Sequence, residues 1–397
     1  MNIDYKKEIT ALHDDTIALR RDIHQHPELG FQEVRTSALV ERQLQEAGIP
    51  TRRIAGTGIV GVLKGGKPGR TVMLRCELDA LPITEDNGLP FCSVNPGVMH
   101  ACGHDCHATV SLQIAKILAK HRDELPGTVV FMFQPDEEGA GAMPMIDGGA
   151  LKDPRPDAIL GLHVWSQYPI GKVALAPGAT NASSYYFKLT IHGKDTSGYE
   201  PEKGASPIIC AAHVLQAIDS MQAYEYNTVN EPTLITVGMI HAGNYMINIP
   251  DSCEIQGSIR CLHDGEKAVH ARFRELVETV CKAMRCTVDV EIECGNTMLT
   301  NDEALYEMGK KVVEETLGAD AVLTKGVRGM GGDDLAEFFN EGIPGLYYMV
   351  GMGNPEKGST VQHHNKDFLV DEDVLDIALE LQLKMTVKYL EEHAEEA

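Results

Sequence analysis

The sequence of 397 residues lacks long apolar runs. None reaches the roughly 18 residues that a membrane-spanning helix requires. The charges of the N-terminal segment 1–7 are not followed by an apolar stretch, so this segment does not have the pattern of a signal peptide. We therefore expect a protein of the cytoplasm that has no membrane partner.

Basic side chains are scarce. There are 35 Lys and Arg against 58 Asp and Glu, which gives a formal net charge of -23 at pH 7. Because phosphate binding needs a basic face, nucleic acid is not an expected partner. The negative charge also does little to attract anions from a distance, so a substrate carboxylate would have to be captured by individual Arg or Lys side chains.

A cysteine framework is absent as well. The ten cysteines are scattered without the spacing of a disulfide-rich domain. We expect reduced thiols that mostly fill the core, so a single cysteine needs a specific reason to be assigned a function. No internal repeat or low-complexity tract is present either.

The chain does contain an alternation of apolar strands and helices, and its length suggests two or three domains. In the first part, strands are predicted at 58–63, 71–78, 128–133 and 158–164, and helices at 9–21, 36–47 and 108–118. Near-continuous apolar strands separated by helices indicate an α/β fold, in which helices cover both faces of a mainly parallel sheet. Near the C-terminus this pattern resumes, with helices at 302–317 and 371–390 around a strand at 345–350.

The middle of the chain follows a different pattern. Strands at 185–192, 233–240, 252–260 and 287–292 are combined with helices at 207–221 and 267–284. The order β-α-β-β-α-β is that of the ferredoxin-like α+β unit. We place this unit at 183–294, inserted into a domain that is formed by 1–182 and 295–397.

Polar side chains gather where a doubly wound sheet places its active site, beyond the carboxyl ends of the strands. In chain order they are Glu77 and Asp79, Cys102 and His104 in the loop before the helix at 108, Gln134 and Asp136 to Glu138, His163, and the pair His363-His364. Taken singly, each has an ordinary structural explanation: a satisfied histidine, a solvated glutamate pair or a core cysteine. Together, a thiolate, imidazoles and carboxylates match the ligand preferences of zinc, manganese, cobalt or nickel, and their wide spacing in sequence suits an open catalytic site.

The pair Glu137-Glu138 suggests a division of roles. One carboxylate can bind a metal while its neighbour stays within reach of a water on that metal, whose pKa falls to roughly 7. The second carboxylate can then take a proton from the water and pass it to a leaving amine.

These stretches resemble the M20 metallopeptidases, specifically the amidohydrolase branch that includes hydrolases of N-acyl amino acids, hippurate and auxin conjugates. The matching segments cover nearly the whole chain in order: 20–31, 74–83, 96–105, 134–139, 161–165, 248–251, 257–260 and 364–368.

The resemblance implies a centre with two divalent metal ions, which would be Zn, Mn, Co or Ni. In it Cys102 bridges the two ions, and the remaining ligands are Glu138 and His364 for one ion and His104 and His163 for the other. Glu137 is then the general base. His363 could be confused with its neighbour, but the spacing to Phe368 favours His364.

The resemblance also implies that the inserted domain is a lid that mediates formation of a homodimer or larger homo-oligomer. Asn248 and Arg260 match lid residues that hold the substrate carboxylate in relatives, and Arg suits this role through bidentate pairing. The alternative is that Arg260 is an ordinary surface residue on a lid strand.

The chain departs from the family pattern at the start of the lid. Two histidines of relatives are replaced by Ser197 and Glu202, and the first of them helps to stabilise the oxyanion. Its loss would cost about 10²–10³-fold in rate if no other donor replaces it. Tyr199, His192 and His241 are candidate donors. Smaller departures are Glu77 in place of Asp and Cys106 in place of Gly.

The sequence thus predicts a metal-dependent amidohydrolase that cleaves an N-acyl amino acid, a peptide-like compound or a related small carboxylate-bearing amide. Glu137 would assist the attack of a metal-bridging water. One alternative uses the same two-metal centre for hydrolytic deamination or for an unusual amide. A second alternative is an inactive protein that binds a metabolite, against which the presence of Glu137 argues.

Overall fold

The computed structural model of the protein describes residues 1–394. Over these residues the α-helices are α1 (Tyr5–Gln25), α2 (Val34–Glu46), α3 (His104–Lys120), α4 (Ala142–Asp147), α5 (Pro207–Glu225), α6 (Glu266–Ala283), α7 (Glu303–Leu317), α8 (Leu335–Asn340) and α9 (Asp373–Glu392). The strands are β1 (Thr51–Ile54), β2 (Gly58–Lys64), β3 (Lys67–Glu77), β4 (Pro126–Gln134), β5 (Ala158–Pro169), β6 (Val173–Ala174), β7 (Gly178–Asn181), β8 (Ser183–His192), β9 (Thr196–Ser197), β10 (Thr233–Ala242), β11 (Asn248–Ile249), β12 (Ser252–Cys261), β13 (Thr287–Asn296), β14 (Leu299–Asn301), β15 (Val322–Leu323) and β16 (Gly345–Gly353). Among the described helices, none has both the length and the apolar composition that a bilayer crossing requires.

The chain divides into two compact units. The first consists of Met1–Gly178, Thr300–Val327 and the chain from Asp334 onward. The second consists of Ala179–Leu299 and Arg328–Asp333.

The first unit is built on an eight-stranded sheet with the order β1-β2-β4-β3-β5-β16-β6-β15. The central strands β4, β3, β5 and β16 run parallel to one another, while β1, β2 and the contact of β16 with β6 are antiparallel. The predicted α/β class with a mainly parallel sheet is therefore confirmed. Parallel order brings the carboxyl ends of β3, β4 and β5 to the same edge of the sheet.

Helices cover both faces of this sheet, because alternate residues of its strands are apolar on each side. Val72 and Leu74 of β3 join the core that is formed with α1, α3 and α9. On the opposite face, α8 lies over Gly161 of β5, where an added Cβ would lie 2.5 Å from a methyl carbon of Leu335. A glycine at this position lets the helix approach the sheet closely.

The second unit is the predicted β-α-β-β-α-β arrangement. Its sheet has the order β10-β12-β8-β13, and all of its neighbouring strands are antiparallel. Helices α5 and α6 pack on one face, where Phe187, Ile255 and Phe273 form the centre of the core. The alternation of buried and exposed residues along β8 and β12 explains why the strands could be recognised from the sequence.

Two predicted elements are corrected by the structure. His104 is not in the loop before a helix at 108, because α3 begins at His104, with Gly103 at its N-cap and Asp105 in its first turn. His163 is not at the end of its strand, because β5 continues to Pro169 alongside β16. Strand β5 is extended by its pairing with β16, which is distant in sequence, whereas α3 begins at the left-handed turn that Gly103 supplies.

Candidate metal centre

A sharp turn before α3 presents Cys102 and His104 at the carboxyl edge of the sheet. Gly103 between them has φ 93°, a left-handed conformation that favours glycine. A Cβ at this position would also lie 2.6 Å from a methyl carbon of Val164. The turn therefore needs glycine both for its backbone conformation and for its contact with β5.

Cys102 and His163 lie next to each other. Both are buried, and the Cys102 Sγ atom is 3.5 Å from His163 Nε2. The other ring nitrogen of His163, Nδ1, lies 2.7 Å from the carbonyl oxygen of Val164. A carbonyl only accepts, so Nδ1 carries the proton and Nε2 turns an unprotonated lone pair towards the thiol.

His104 is oriented by Asp79. Its Nδ1 atom lies 3.0 Å from the Asp79 carbonyl oxygen and 3.2 Å from the Oδ1 atom of the carboxylate, so Nδ1 donates to this residue. Its Nε2 atom is buried, has no hydrogen-bond partner among the described residues and lies 3.7 Å from Glu137 Oε2. A buried ring nitrogen that is left without a hydrogen-bond partner, while the other nitrogen is held by a carboxylate, is the arrangement expected of a histidine that binds a cation.

Glu138 and His364 lie on the open side of Cys102. The Glu138 Oε1 atom is 3.0 Å from His364 Nε2, and one ligand atom from each of the three residues lies within 4.8 Å of the others. Cys102, His104 and His163 satisfy the same distance limit. Cys102 therefore belongs to two clusters of candidate ligands, one buried and one partly exposed.

His363 belongs to none of these clusters among the described residues. Its ring stacks on Trp165 at 4.5 Å between ring centroids, and its Nε2 atom donates to the Val164 carbonyl oxygen at 3.0 Å. Burial lowers the pKa of His363 to about 3. Of the two adjacent histidines, only His364 presents its ring to Glu138.

The loop after β4 brings Glu137 to the clusters. Ligand atoms of Glu137, Glu138 and His104 lie within 4.8 Å of one another. The residue before them, Asp136, has φ 52°, and its N–H donates to a carboxylate oxygen of Glu33 at 3.0 Å. Burial, together with the charges of Asp79 and Glu138, raises the pKa of Asp136 to about 6.

A network of buried polar side chains supports the ends of the strands. Arg75 donates through Nε to Gln134 at 2.8 Å, through one terminal nitrogen to Glu77 and through the other to Asp334 at 2.6 Å. Glu77 in turn accepts from His107 Nδ1 at 2.5 Å. Burial opposes ionisation of Glu77, but Arg75 and His107 hold the pKa of its carboxyl well below the usual range.

The charge balance of the centre favours a cation. Burial, and then the carboxylate of Glu138, raises the pKa of the Cys102 thiol well above its ordinary value. A divalent ion would offset both effects, because it stabilises a coordinated thiolate directly. Sulfur, imidazole and carboxylate donors that meet within 4.8 Å also fit the ligand preferences of zinc and its neighbours in the transition series.

Cys106, which follows the candidate ligands on α3, differs from them in its role. It is buried on α3, and burial raises the pKa of its thiol well above the ordinary value. A thiol in this state is a poor nucleophile. Unlike Cys102, Cys106 joins no group of candidate ligands among the described residues, which fits the expectation that most of the cysteines fill the core.

The predicted substrate-binding residues lie in the second unit. Asn248 is exposed on β11, opposite Ser197 of β9. Arg260 lies on β12, and one of its terminal nitrogens donates to the carbonyl oxygen of Met330 at 2.9 Å. Of the candidate oxyanion donors, Tyr199 is 83% exposed and His192 is paired with Asp289 at 2.8 Å.

Five predicted ligands and the predicted base are thus brought together in the first unit: Cys102, His104, Glu137, Glu138, His163 and His364. Sequence reasoning assigned no role to two residues that contact these side chains: Asp79, which accepts from His104, and His107, whose ring packs against His163. A signal for them was present, because Asp79 follows the end of a buried strand and His107 lies one turn of helix beyond His104.

Comparison with known proteins agrees with this geometry. The chain is 34% identical to thermostable carboxypeptidase 1 of Saccharolobus solfataricus, over 97% of this chain and 98% of that protein. It is 35% identical to the IAA-amino acid hydrolase ILR1-like 2 of Arabidopsis thaliana, over 96% of this chain and 86% of that protein. Among solved structures, Bacillus subtilis YXEP, described as a dinuclear metal binding peptidase from the M20 family, matches with a TM-score of 0.83. Its sequence identity is 30%, and the match covers 96% of this chain and 99% of that one.

The fold and these relatives define the protein as a hydrolase. The model of Peptidase family M20/M25/M40 matches residues 73–388, and the chain belongs to this family. The resemblance inferred from the sequence motifs is confirmed.

Proposed function

We propose that the protein is a metal-dependent amidohydrolase that cleaves the amide bond of an N-acyl amino acid or a related small carboxylate-bearing amide. The observation that carries this proposal is that Cys102 belongs to two clusters of candidate ligands, with Glu137 beside them. A structural metal site would close its coordination shell within one cluster. Two clusters that share a thiol, one of them partly exposed, suit catalysis.

Two divalent ions are the cofactor in this proposal. His104 and His163 would hold one ion, Glu138 and His364 the other, and Cys102 would bridge them. The description of Bacillus subtilis YXEP as a dinuclear metal binding peptidase supports this number of ions. When bound, such ions lower the pKa of water and polarise a carbonyl group.

Glu137 is the proposed general base. Its Oε2 atom lies 3.7 Å from His104 Nε2, next to Glu138, so it reaches the space between the clusters. There it can take a proton from the attacking water and give it to the nitrogen of the leaving amine. The neighbouring carboxylate is assigned to the metal, so the two glutamates have different roles.

The proposed substrate carries a carboxylate. Two relatives are named a carboxypeptidase and an IAA-amino acid hydrolase, and both names support a substrate with a carboxylate. In this chain Arg260 and Asn248 of the second unit are the proposed carboxylate ligands, with that unit acting as a lid. Ser197 stands where relatives have the lid histidine. In this proposal the oxyanion donor is therefore Tyr199, His192 or His241, or else the substrate is an unusual amide.

The test of this function is Glu137→Gln in the metal-loaded enzyme. The substitution keeps the size of the side chain but removes its basicity, so we expect unchanged metal content and a turnover that falls about 10²–10⁴-fold. Metal is measured by elemental analysis, and turnover with a panel of N-acyl amino acids, dipeptides and aryl amines.

The exposed Glu303→Gln serves as the matched control and should match the wild type in both measurements. Near-normal turnover of metal-replete Glu137→Gln would remove Glu137 as the base. Release of ammonia from an amine, with no amide cleaved, would replace the proposed reaction by a deamination.

A further inference from the structure

The backbone N–H and the backbone carbonyl oxygen of Val164 contact three histidines. Its N–H donates to His107 Nε2 at 3.0 Å. Its carbonyl oxygen accepts from His163 Nδ1 at 2.7 Å and from His363 Nε2 at 3.0 Å. Both backbone polar groups of Val164 are therefore satisfied by imidazoles.

The position of Val164 in the sheet explains why its N–H needs a side chain. The pairing of β3 with β5 ends at Arg75 opposite Gly161, three residues before Val164. On that side no strand partner is present for the rest of β5 among the described residues. A buried N–H without an acceptor is costly, and His107 supplies the acceptor.

The protonation state of each ring follows from these contacts. Because Val164 N–H donates, His107 Nε2 must be unprotonated, and its proton lies on Nδ1, which donates to Glu77 at 2.5 Å. Because the Val164 carbonyl accepts, the proton of His163 also lies on Nδ1. His163 Nε2 is left with a lone pair directed at Cys102.

We propose that His107 is a positioning residue for the candidate metal centre, which fixes the ring orientation and the tautomer of His163 through the backbone of Val164. The proposal rests on the proposed function in one respect, the role of His163 as a metal ligand. His107 itself does not bind the metal, since both of its ring nitrogens are engaged.

Two further contacts make His107 a rigid support. Its ring packs edge-on against His163, with 4.5 Å between the ring centroids. Glu77, which holds its Nδ1 atom, is in turn bound by Arg75. A support of this kind reduces the freedom of the ligand before the metal binds, and its loss typically costs 10–100-fold in metal affinity.

The experiment compares His107→Asn with His107→Gln. The amide of Asn reaches the position of Nδ1 and can still donate to Glu77, but it leaves Val164 N–H without an acceptor. The amide oxygen of Gln reaches the position of Nε2 and can accept from Val164. Cobalt(II) affinity is measured by competition with a chelator, followed by the thiolate-to-cobalt absorption, and metal content by elemental analysis.

For His107→Asn we expect the affinity for one of the two ions to fall about 10–100-fold, while His107→Gln stays close to the wild type. The half-buried His270→Asn in the second unit is the matched control and should leave both ions bound. Equal cobalt affinity of the Asn variant and the wild type would overturn the proposal, as would an equal loss in the Asn and Gln variants. A wild type that binds no metal would instead overturn the proposed function.

A second measurement does not depend on the folding of any variant. In the metal-free wild type labelled with ¹⁵N-histidine, two-bond ¹H–¹⁵N correlation spectra report which ring nitrogen carries the proton. We expect the Nδ1–H tautomer at both His107 and His163. A proton on Nε2 of His107 would contradict its role as the acceptor for Val164 and would overturn the proposal.

Discussion

His24 is a buried histidine that is held between two carboxylates. Its Nδ1 atom lies 2.8 Å from Asp105 and its Nε2 atom 2.9 Å from Glu85. Burial and the charge of Arg20 lower the pKa of His24, but the hydrogen bonds to Asp105 and Glu85 outweigh them and raise it above the ordinary value. His24 thus links α1 to the first turn of α3, next to His104.

This arrangement predicts a pH-dependent contribution to stability. A raised pKa in the folded state means that the contribution of His24 is complete below its unfolded pKa of about 6.5 and is lost as the pH rises through the folded value. In metal-free protein, His24→Gln should therefore lower the free energy of unfolding by about 1–3 kcal/mol near pH 6, and by less at pH 9. Urea unfolding at both pH values measures the difference, with the exposed His213→Gln as control. An effect of His24→Gln that grows with pH would contradict the assignment.

Arg75 shows how far residue-level reasoning can reach from the sequence. A charged residue within an apolar strand must be paired, because an isolated buried charge is too costly. The sequence therefore predicts that Arg75 has partners, and Glu77 is the nearest candidate. It cannot predict Asp334, which lies 259 residues away, because that pairing depends on how β3 and α8 are placed in the fold.

At the scale of elements, the loop after β4 depends on its neighbours. The side chain of Asp136 occupies the space beside Gly30 and Gly139, so that a Cβ on Gly30 would lie 1.6 Å from the Oδ1 atom of Asp136. Asp79 binds the same loop, accepting from the Glu138 N–H at 3.1 Å. The positions of Glu137 and Glu138 are thus set by residues that are remote in sequence.

We expect Gly30→Ala to displace this loop. The added methyl group requires Asp136 to move, which should cost about 1–3 kcal/mol of stability through overpacking and should lower both metal content and turnover. Elemental analysis and thermal unfolding measure the two effects. Gly331→Ala is the control, since a Cβ there meets nothing within 4 Å. Full metal content and normal turnover in Gly30→Ala would show that the loop position does not matter.

The elements that could be predicted are those with a long, regular pattern. The strands and helices of the second unit follow from alternation and helical spacing, and the ligands follow from motifs at strand ends. The short strand β1 was not predicted, because its four residues include two arginines and it is defined by pairing with β2. The start of α3 at His104 was missed because Gly103 supplies the left-handed turn that begins the helix, a conformation which composition alone does not reveal.

At the scale of the whole molecule, the family resemblance implies a homodimer. The two edges of the second unit's sheet are the candidate contacts between the copies. On β13, one edge strand, Asp289, Glu291 and Glu293 alternate, and like charges oppose pairing of this edge with its own copy. The other edge strand, β10, instead exposes apolar side chains: Val237 is 37%, Met239 47% and Ile240 49% exposed. An uncovered apolar edge strand invites pairing with another chain. We infer that β10 is the edge that meets its copy across a two-fold axis.

This inference predicts that the wild type sediments as a dimer and that Ile240→Lys weakens the dimer, because a two-fold contact repeats the buried ammonium group on both copies. Analytical ultracentrifugation over a concentration series measures the dissociation constant, which should rise at least about tenfold, the equivalent of roughly 1.4 kcal/mol. Val34→Lys, at an exposed apolar position of the first unit, adds the same charge elsewhere and should leave the dimer intact. If the wild type is monomeric, or if Ile240→Lys dimerises as tightly as the wild type, β10 is not the interface. The apolar side chains of that strand would then need another partner.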